Sequence, residues 1–207
     1  TNITQQIIEN LAHEIELQNH ELIELSQQKT AISEILGAIS RSSKNDQSIL
    51  ETVAANAARL CDGKDAEIFK VEGDLLRLVA KHGQSDLWPI GTKKTINRDW
   101  VAARAVVDLR PIHVEDLQAS SAEFPVGASL AKQFGHRTTF ATPLLRDGAA
   151  IGAILIRRME VSPLTEKQVV LLKTFADEAA IAIENERLFR EVQEKSKKVE
   201  EQANELR

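Results

Sequence analysis

The sequence predicts an α+β domain: about six short, mostly antiparallel strands, a loop–helix region on one face, and long terminal helices on the other. Three observations carry that prediction. Apolar residues at heptad spacing fill residues 3–39 and 181–206. Two hairpin signals, Glu72-Gly73-Asp74 and Arg146-Asp147-Gly148, each join a pair of β-rich runs. A helix with a clear start at Thr165 passes without a break into the second heptad segment. The chain then divides into an N-terminal helix over 1–41, a domain over 42–185 and a C-terminal helix over 186–207.

The first helix carries a countable seam. Ile8, Leu11, Ile15, Leu22, Leu25, Ile32, Leu36 and Ile39 advance in heptad steps, and Gln18 and Lys29 fill the gaps on the same stripe. Eight apolar residues in ten positions, sustained over four heptads, is the pattern of a coiled coil. The two polar core positions cost stability and fix register. Thirty-odd residues at about 1.5 Å each extend roughly 50 Å, longer than a small domain is wide. The stripe therefore predicts a partner helix.

Ser42–Gln47 is a polar break. Asp46 is placed to cap a helix over 47–60 with Ile49, Val53, Ala57 and Leu60 on one face, and Asp62-Gly63 ends it. Ala66–Val71 and Leu75–Ala80 read as the strands of the first hairpin, and Thr92–Ile96 as a third strand. Asp99–Leu109 reads as a helix and Pro111–Val114 as a short strand. Phe124–Phe134 has helical spacing but holds Pro125 and Gly127, which reads as a loop with a short helix. Thr138–Leu145 and Ala149–Arg157 form the second hairpin; the latter run is apolar on both faces, the mark of a central strand.

The last helix starts after Pro163. Thr165 is its N-cap, Gln168 completes a capping box, and Leu164 with Val169 forms the staple. Val169, Leu172, Phe175, Ala176, Ala179, Ala180 and Ile183 make an apolar face that continues into the second seam: Ile181, Leu188, Val192, Val199 and Leu206. Asn185, Lys195 and Gln202 interrupt that seam, so it is the weaker of the two. The pattern reaches Arg207 with no Gly or Pro to stop it, as in a chain cut from a longer protein.

Composition bounds the partners. Net charge is −5, nearly all of it in residues 1–39, where six Glu face one Lys. The absence of a basic patch argues against nucleic acid. The longest apolar run, Ala149–Ile156, is too short to span a bilayer, and no signal-peptide pattern is present. A single cysteine, Cys61, excludes an internal disulfide and a multi-cysteine zinc site and fits a cytosolic protein. The expectation is a cytoplasmic chain with no direct membrane contact.

Several stretches in order then resemble a known family. They are Arg110-Pro111-Ile112-His113-Val114-Glu115-Asp116, Gly135-His136-Arg137-Thr138, Thr142-Pro143-Leu144-Leu145-Arg146-Asp147-Gly148, Ile151-Gly152-Ala153-Ile154 and the run Phe175–Asn185. Together they resemble GAF domains of bacterial multidomain sensor proteins, over about residues 45–190. The flanks, Leu25–Ser43 and Leu188–Arg207, look like the helical linkers of sensor histidine kinases. The resemblance implies a six-stranded antiparallel sheet with helices on both faces. It also implies a pocket between the sheet and a variable segment, here Gln84–Arg137, without naming a ligand.

Candidate pocket residues are Phe69, Trp88, Trp100, Phe124, Phe134 and Phe140 as apolar contacts, with Arg137 and Thr139 as polar ones. His113, on a strand, is the best placed imidazole for a haem, yet scattered histidines more often serve the fold, so haem is disfavoured. Bilin-binding relatives attach the chromophore to a cysteine in the variable segment, which here has none, so a covalent bilin is disfavoured too. A cyclic-nucleotide signature is not found. Leu11-Ala12-His13-Glu14-Ile15 resembles a phospho-accepting box but departs from it at Glu16, Leu17 and Gln18. Gly127-Ala128-Ser129-Leu130-Ala131 does not follow a strand, as a nucleophile elbow must.

The function these readings point to is a non-catalytic sensory module. Two copies pair in parallel through both seams and relay a small-molecule or upstream signal to an output domain, expected to be a histidine kinase. The alternatives are a dimerisation scaffold without a ligand and the input module of a nucleotide cyclase. An enzyme of the free-methionine-sulfoxide-reductase type needs several thiols near the pocket, and Cys61 stands alone.

Overall fold

The computed structural model describes residues 14–16, 18, 46–83 and 88–205. It divides into two units, Thr1–Ala38 and Ile39–Arg207. In the first unit the described residues are helical and exposed, Ile15 among them. The remaining first-seam positions, Ile8, Leu11, Leu22, Leu25, Ile32, Leu36 and Ile39, and Leu206 of the second seam lie outside the described residues.

The second unit is a six-stranded sheet with helices on both faces. The elements run α1 (Asp46–Leu60), β1 (Asp65–Glu72), β2 (Leu75–Gly83), β3 (Lys93–Thr95), α2 (Val101–Asp108), β4 (Ile112–Val114), a 3-10 turn (Leu117–Ala119), α3 (Pro125–Phe134), β5 (Thr139–Arg146), β6 (Ala149–Arg157) and α4 (Glu166–Glu205). Strand order is β3-β2-β1-β6-β5-β4, and every pair is antiparallel. β6 sits between β1 and β5, which is why its sequence is apolar on both faces.

Both hairpins close where the sequence places them. Asp147 and Gly148 both take positive φ (50° and 78°), the conformation a two-residue hairpin needs. Gly152 answers a different demand: a Cβ there would come 2.2 Å from the Phe69 carbonyl oxygen, so β1 and β6 approach too closely for any side chain.

Strand alternation sorts the side chains onto two faces. Phe69, Leu76, Leu78, Ala141, Ala153 and Leu155 point to the side covered by α2 and α3, where they join Trp100, Val101, Ala105, Val106, Leu117 and Phe124 in one core. The opposite face carries Ala66, Ile68, Phe140, Ile154 and Ile156 and is covered by α1 and α4. On α4, Leu172, Phe175, Ala176, Ala179, Ala180 and Ile183 are buried on that side, as the periodicity predicts. The capping box forms: Thr165 N–H donates to Gln168 Oε1 (3.1 Å) and Gln168 N–H to Thr165 Oγ1 (3.3 Å).

Two expectations need correction. Leu60 is 44% exposed, because α1 ends there and the chain turns away at Asp62 in a left-handed conformation (φ 50°). Phe124–Phe134 is not mostly loop. Pro125 stands in the first turn of a ten-residue helix, where the missing N–H costs nothing, and Gly135 caps its end at φ 85°. Past Ile183, α4 continues as one helix that meets its own domain last at Glu186, which pairs with Lys70 of β1 (3.5 Å), and from Arg187 onward it runs largely exposed. Ile181, Leu188, Val192 and Val199 are exposed, the last two at 65%. Among the described residues no helix is long and apolar enough to cross a membrane.

Candidate functional site

The register across the sheet builds the site. On the face toward α2 and α3, one row runs Lys81, Glu67, Leu155, Ala141, Ile112, and the next runs Gly83, Asp65, Arg157, Thr139, Val114. The sheet is therefore apolar over its middle and charged at one end. Arg157 Nε donates to Asp65 Oδ1 (2.7 Å), and its Nη2 lies 2.6 Å from Glu67 Oε1. Burial alone favours the neutral guanidine, but the Glu67 and Asp65 carboxylates outweigh it and hold Arg157 charged.

A cavity lies above this floor. Trp88, Trp100, Val101, Leu117, Gly127, Leu130 and Leu155 supply its apolar wall; His136, Thr139 and Arg157 supply a polar end. Its volume is about 20 Å³, room for one water molecule. Phe69, Trp88 and Trp100 stand edge to face, with ring centroids 5.4–6.3 Å apart, and fill the space an organic body would take. Trp88 comes from the segment that follows β2, where Lys81 Nζ holds its carbonyl (3.1 Å) and Lys94 Nζ lies 4.8 Å above its ring. Thr139 is 2% exposed, and its Oγ1 makes no hydrogen bond among the described residues. His136 is buried, and desolvation, helped by the Arg157 charge, pushes its pKa down to about 4, so it is neutral at pH 7.

Of the residues the sequence nominated, Trp88, Trp100 and Thr139 line the cavity. Phe69 lies beneath them in the core, T-shaped to both tryptophans. The others lie elsewhere. Phe124 is buried in the same core, with the Arg104 guanidinium 4.0 Å above its ring. Phe134 ends α3, half-buried and away from the lining. Arg137 is held by both oxygens of Asp116 and turns outward. His113 and Phe140 face the opposite side, because they are paired in the row His82, Ala66, Ile156, Phe140, His113. There the His113 ring stands edge-on to Phe140, and its Nε2 accepts the Leu164 N–H (3.2 Å). That nitrogen is occupied by the Leu164 N–H, and the groove His113 lines is shared with Arg110, Glu115 and Glu123, so among the described residues His113 is not placed to ligate a haem in the cavity. Arg157 and Leu155 were not nominated, and His136 was noted only as one of three histidines in or beside the variable segment, with His113 preferred. Arg157 ends a run that reads as a strand, and only the pairing register sets it beside Asp65 and Thr139 on the cavity side.

The residue after Arg157 points the other way. Arg158 donates to the Cys61 carbonyl (2.6 and 3.2 Å), to the Ser162 carbonyl (2.6 Å), to the Pro163 carbonyl (3.1 Å) and to Gln168 Oε1 (3.0 Å). It thereby ties the end of β6 to the end of α1 and to the first turn of α4. Cys61 beside it is fully buried; burial pushes its thiol up to about 12, which leaves no thiolate for chemistry at neutral pH. Among the described residues no group of His, Cys, Asp and Glu could hold a metal ion.

A comparison with curated proteins gives no match. Among solved structures the chain is similar to residues 122 to 287 of a methyl-accepting chemotaxis protein, at 21% identity and TM-score 0.63, over 74% of this chain and 98% of that one. It is similar to the GAF domain of a phosphoenolpyruvate-protein phosphotransferase from Coxiella burnetii, at 14% identity and TM-score 0.63, over 77% and 95% of the two chains. It is also similar to a free methionine-R-sulfoxide reductase from Neisseria meningitidis in complex with its substrate, at 18% identity and TM-score 0.61, over 77% and 90%. Likeness at these identities shows the shared fold. The family model described as GAF domain matches residues 43–184, more than half of the chain, and on that match the chain belongs to the GAF-domain family.

Proposed function

We propose that this GAF domain is a non-catalytic regulatory module of a cytoplasmic signalling protein, working as a parallel homodimer. In this reading a small molecule entering beside Trp88 and Trp100, or a signal arriving through the N-terminal helix, displaces the end of β6. Arg158 passes that displacement to the first turn of α4. The helix carries it along the seam Ile181, Leu188, Val192, Val199 to an output domain of histidine kinase type.

The observation that carries the reading is the adjacency of Arg157 and Arg158. One lines the cavity; the next donates twice to the Cys61 carbonyl at the end of α1 and four times to Ser162, Pro163 and Gln168 at the approach to and first turn of the signalling helix. The seam supports the dimer. Asn185, Val192 and Val199 take a positions and Ile181 and Leu188 take d positions, and β-branched a with Leu at d favours two parallel strands. A ligand shifts such a relay only by binding its two arrangements unequally, typically by about 1–3 kcal/mol.

A second reading, a dimerisation scaffold with no ligand, is favoured by the cavity volume of about 20 Å³, since any organic ligand must first move Trp88. Native mass spectrometry of the purified chain tests both. The relay reading expects a dimer mass with an added small-molecule mass. A bare dimer leaves the scaffold and a relay driven only through the N-terminal helix, and a single-chain mass at micromolar concentration overturns both.

A further inference from the structure

The approach to α4 is held by three side-chain acceptors, and one of them titrates. Ser162 N–H donates to Thr138 Oγ1 (2.9 Å), Leu164 N–H to His113 Nε2 (3.2 Å), and Thr165 N–H to Gln168 Oε1 (3.1 Å). Pro163 has no N–H to place. The threonine and glutamine oxygens accept at every pH. The imidazole nitrogen accepts only while it carries no proton. The Leu164 residue is buried while His113 is exposed, so the bond is part-buried and its loss gives the amide up to water.

We infer that His113 is an acid-sensitive latch on the first turn of α4. In the neutral ring Nε2 is the acceptor and the proton sits on Nδ1, a tautomer fixed by the Leu164 N–H. Protonation places a second N–H opposite the Leu164 N–H. Two donors then face each other, the contact opens, and the chain from Ser162 to Thr165 keeps only its other two acceptors and Arg158.

The surroundings agree. His113 is exposed on one side, and the partial burial of its ring beside Phe140 lowers its pKa from the ordinary 6.5; the Glu115 carboxylate, just past the end of β4, pushes it up, and the Arg158 guanidinium pushes it down. Arg110 and Glu123 complete the charged groups around the surface groove that His113 shares. The folded-state pKa lies below the unfolded value. The latch is therefore closed above 6.5 and is lost as pH falls below it. His136, the other shifted histidine, titrates only near 4 and lies on the opposite face of the sheet.

The latch stands on the contact itself; that its opening alters signal output rests on the relay reading above. The test reads the contact alone, so the two can fail separately. In a pH titration of the 15N-labelled chain from 8 to 5, the Leu164 amide should move in one step together with the His113 ring, at a midpoint below 6.5. Its exchange protection should fall about tenfold across that step, the usual worth of one lost hydrogen bond. In His113→Gln, which keeps an acceptor that does not titrate, the Leu164 amide should stay still over the same range. A Leu164 amide that ignores pH in the wild-type chain, or titrates equally in His113→Gln, overturns the latch. Should His113→Gln fold poorly, the imidazole nitrogens of the wild-type chain at pH 8 decide: a proton on Nδ1 supports the latch and a proton on Nε2 overturns it.

Discussion

His136 and Arg157 meet at the polar end of the cavity, and each limits what the other can do. Arg157 is 3% exposed, and its charge is committed to Asp65 and Glu67. Removing one partner of such a buried cluster costs about 3–5 kcal/mol, because the charge left behind has no water. His136 stays neutral for the same reason: burial and the nearby guanidinium both disfavour a second cation there. Its folded pKa of about 4 lies below the ordinary 6.5, so the unfolded chain binds the proton first. The stability that His136 contributes is complete above 6.5 and is lost as pH falls toward 4, by up to about 3 kcal/mol. Urea denaturation at pH 7 and pH 4.5 should show the wild-type chain losing more stability than His136→Gln, whose side chain carries no proton in this range. Equal losses in the two chains would remove His136 from the acid response. Neither residue was legible as a site in the sequence. Trp88, Trp100 and Thr139 were, because large aromatics in the variable segment and a threonine just beyond it signal a lining by type alone. Arg157 becomes a site residue only once β1, β6 and β5 are set in register, and His136 only once the turn between α3 and β5 is folded over the cavity.

The elements were read more easily than the site, and the errors share a cause. Strands and helices follow local period and punctuation, which the sequence carries; what a residue touches does not. The hairpin at Asp147-Gly148 and the capping box at Thr165 were legible because each is closed within four residues. Pro125 was misread because the same residue breaks a helix interior and starts a helix, and only its position in the first turn of α3 separates the two. His113 was placed on its strand correctly but on the wrong face, since β4 has three residues, too few to show an alternation. Gly152 shows what local reading misses. Its absent side chain is demanded by a carbonyl on the neighbouring strand, eighty-odd residues earlier. Gly152→Ala should therefore destabilise the domain by about 1–3 kcal/mol through forced displacement of β1, although alanine is otherwise tolerated in a strand. Thermal unfolding of the two chains side by side measures it. An unchanged midpoint would mean that the two strands part at no cost.

At the scale of the molecule the telling contrast lies within α4. Its first half buries one face from Leu172 to Ile183, and in its second half, from Arg187 onward, the ion pairs among the described residues are intrahelical, such as Arg187 with Glu184 and Lys195 with Glu191. Exposed pairs of this kind contribute about 0.3–0.5 kcal/mol each, too little to hold twenty residues helical alone. In the proposed dimer a second copy covers Leu188, Val192 and Val199 with the same stripe at the same height and supplies what the exposed helix lacks. Proline at position 191 separates the two halves. It removes the hydrogen bond to Arg187 and clashes with the preceding turn, at a cost of about 3 kcal/mol, but reaches nothing in the buried half. Glu191→Pro should leave the unfolding midpoint of the domain unchanged, lower the helical circular dichroism, and shift the mass in sedimentation velocity from two chains toward one. A variant that loses helix yet sediments unchanged would place the contact between copies on the domain rather than on the rod, and the displacement passed along by Arg158 would then need another exit.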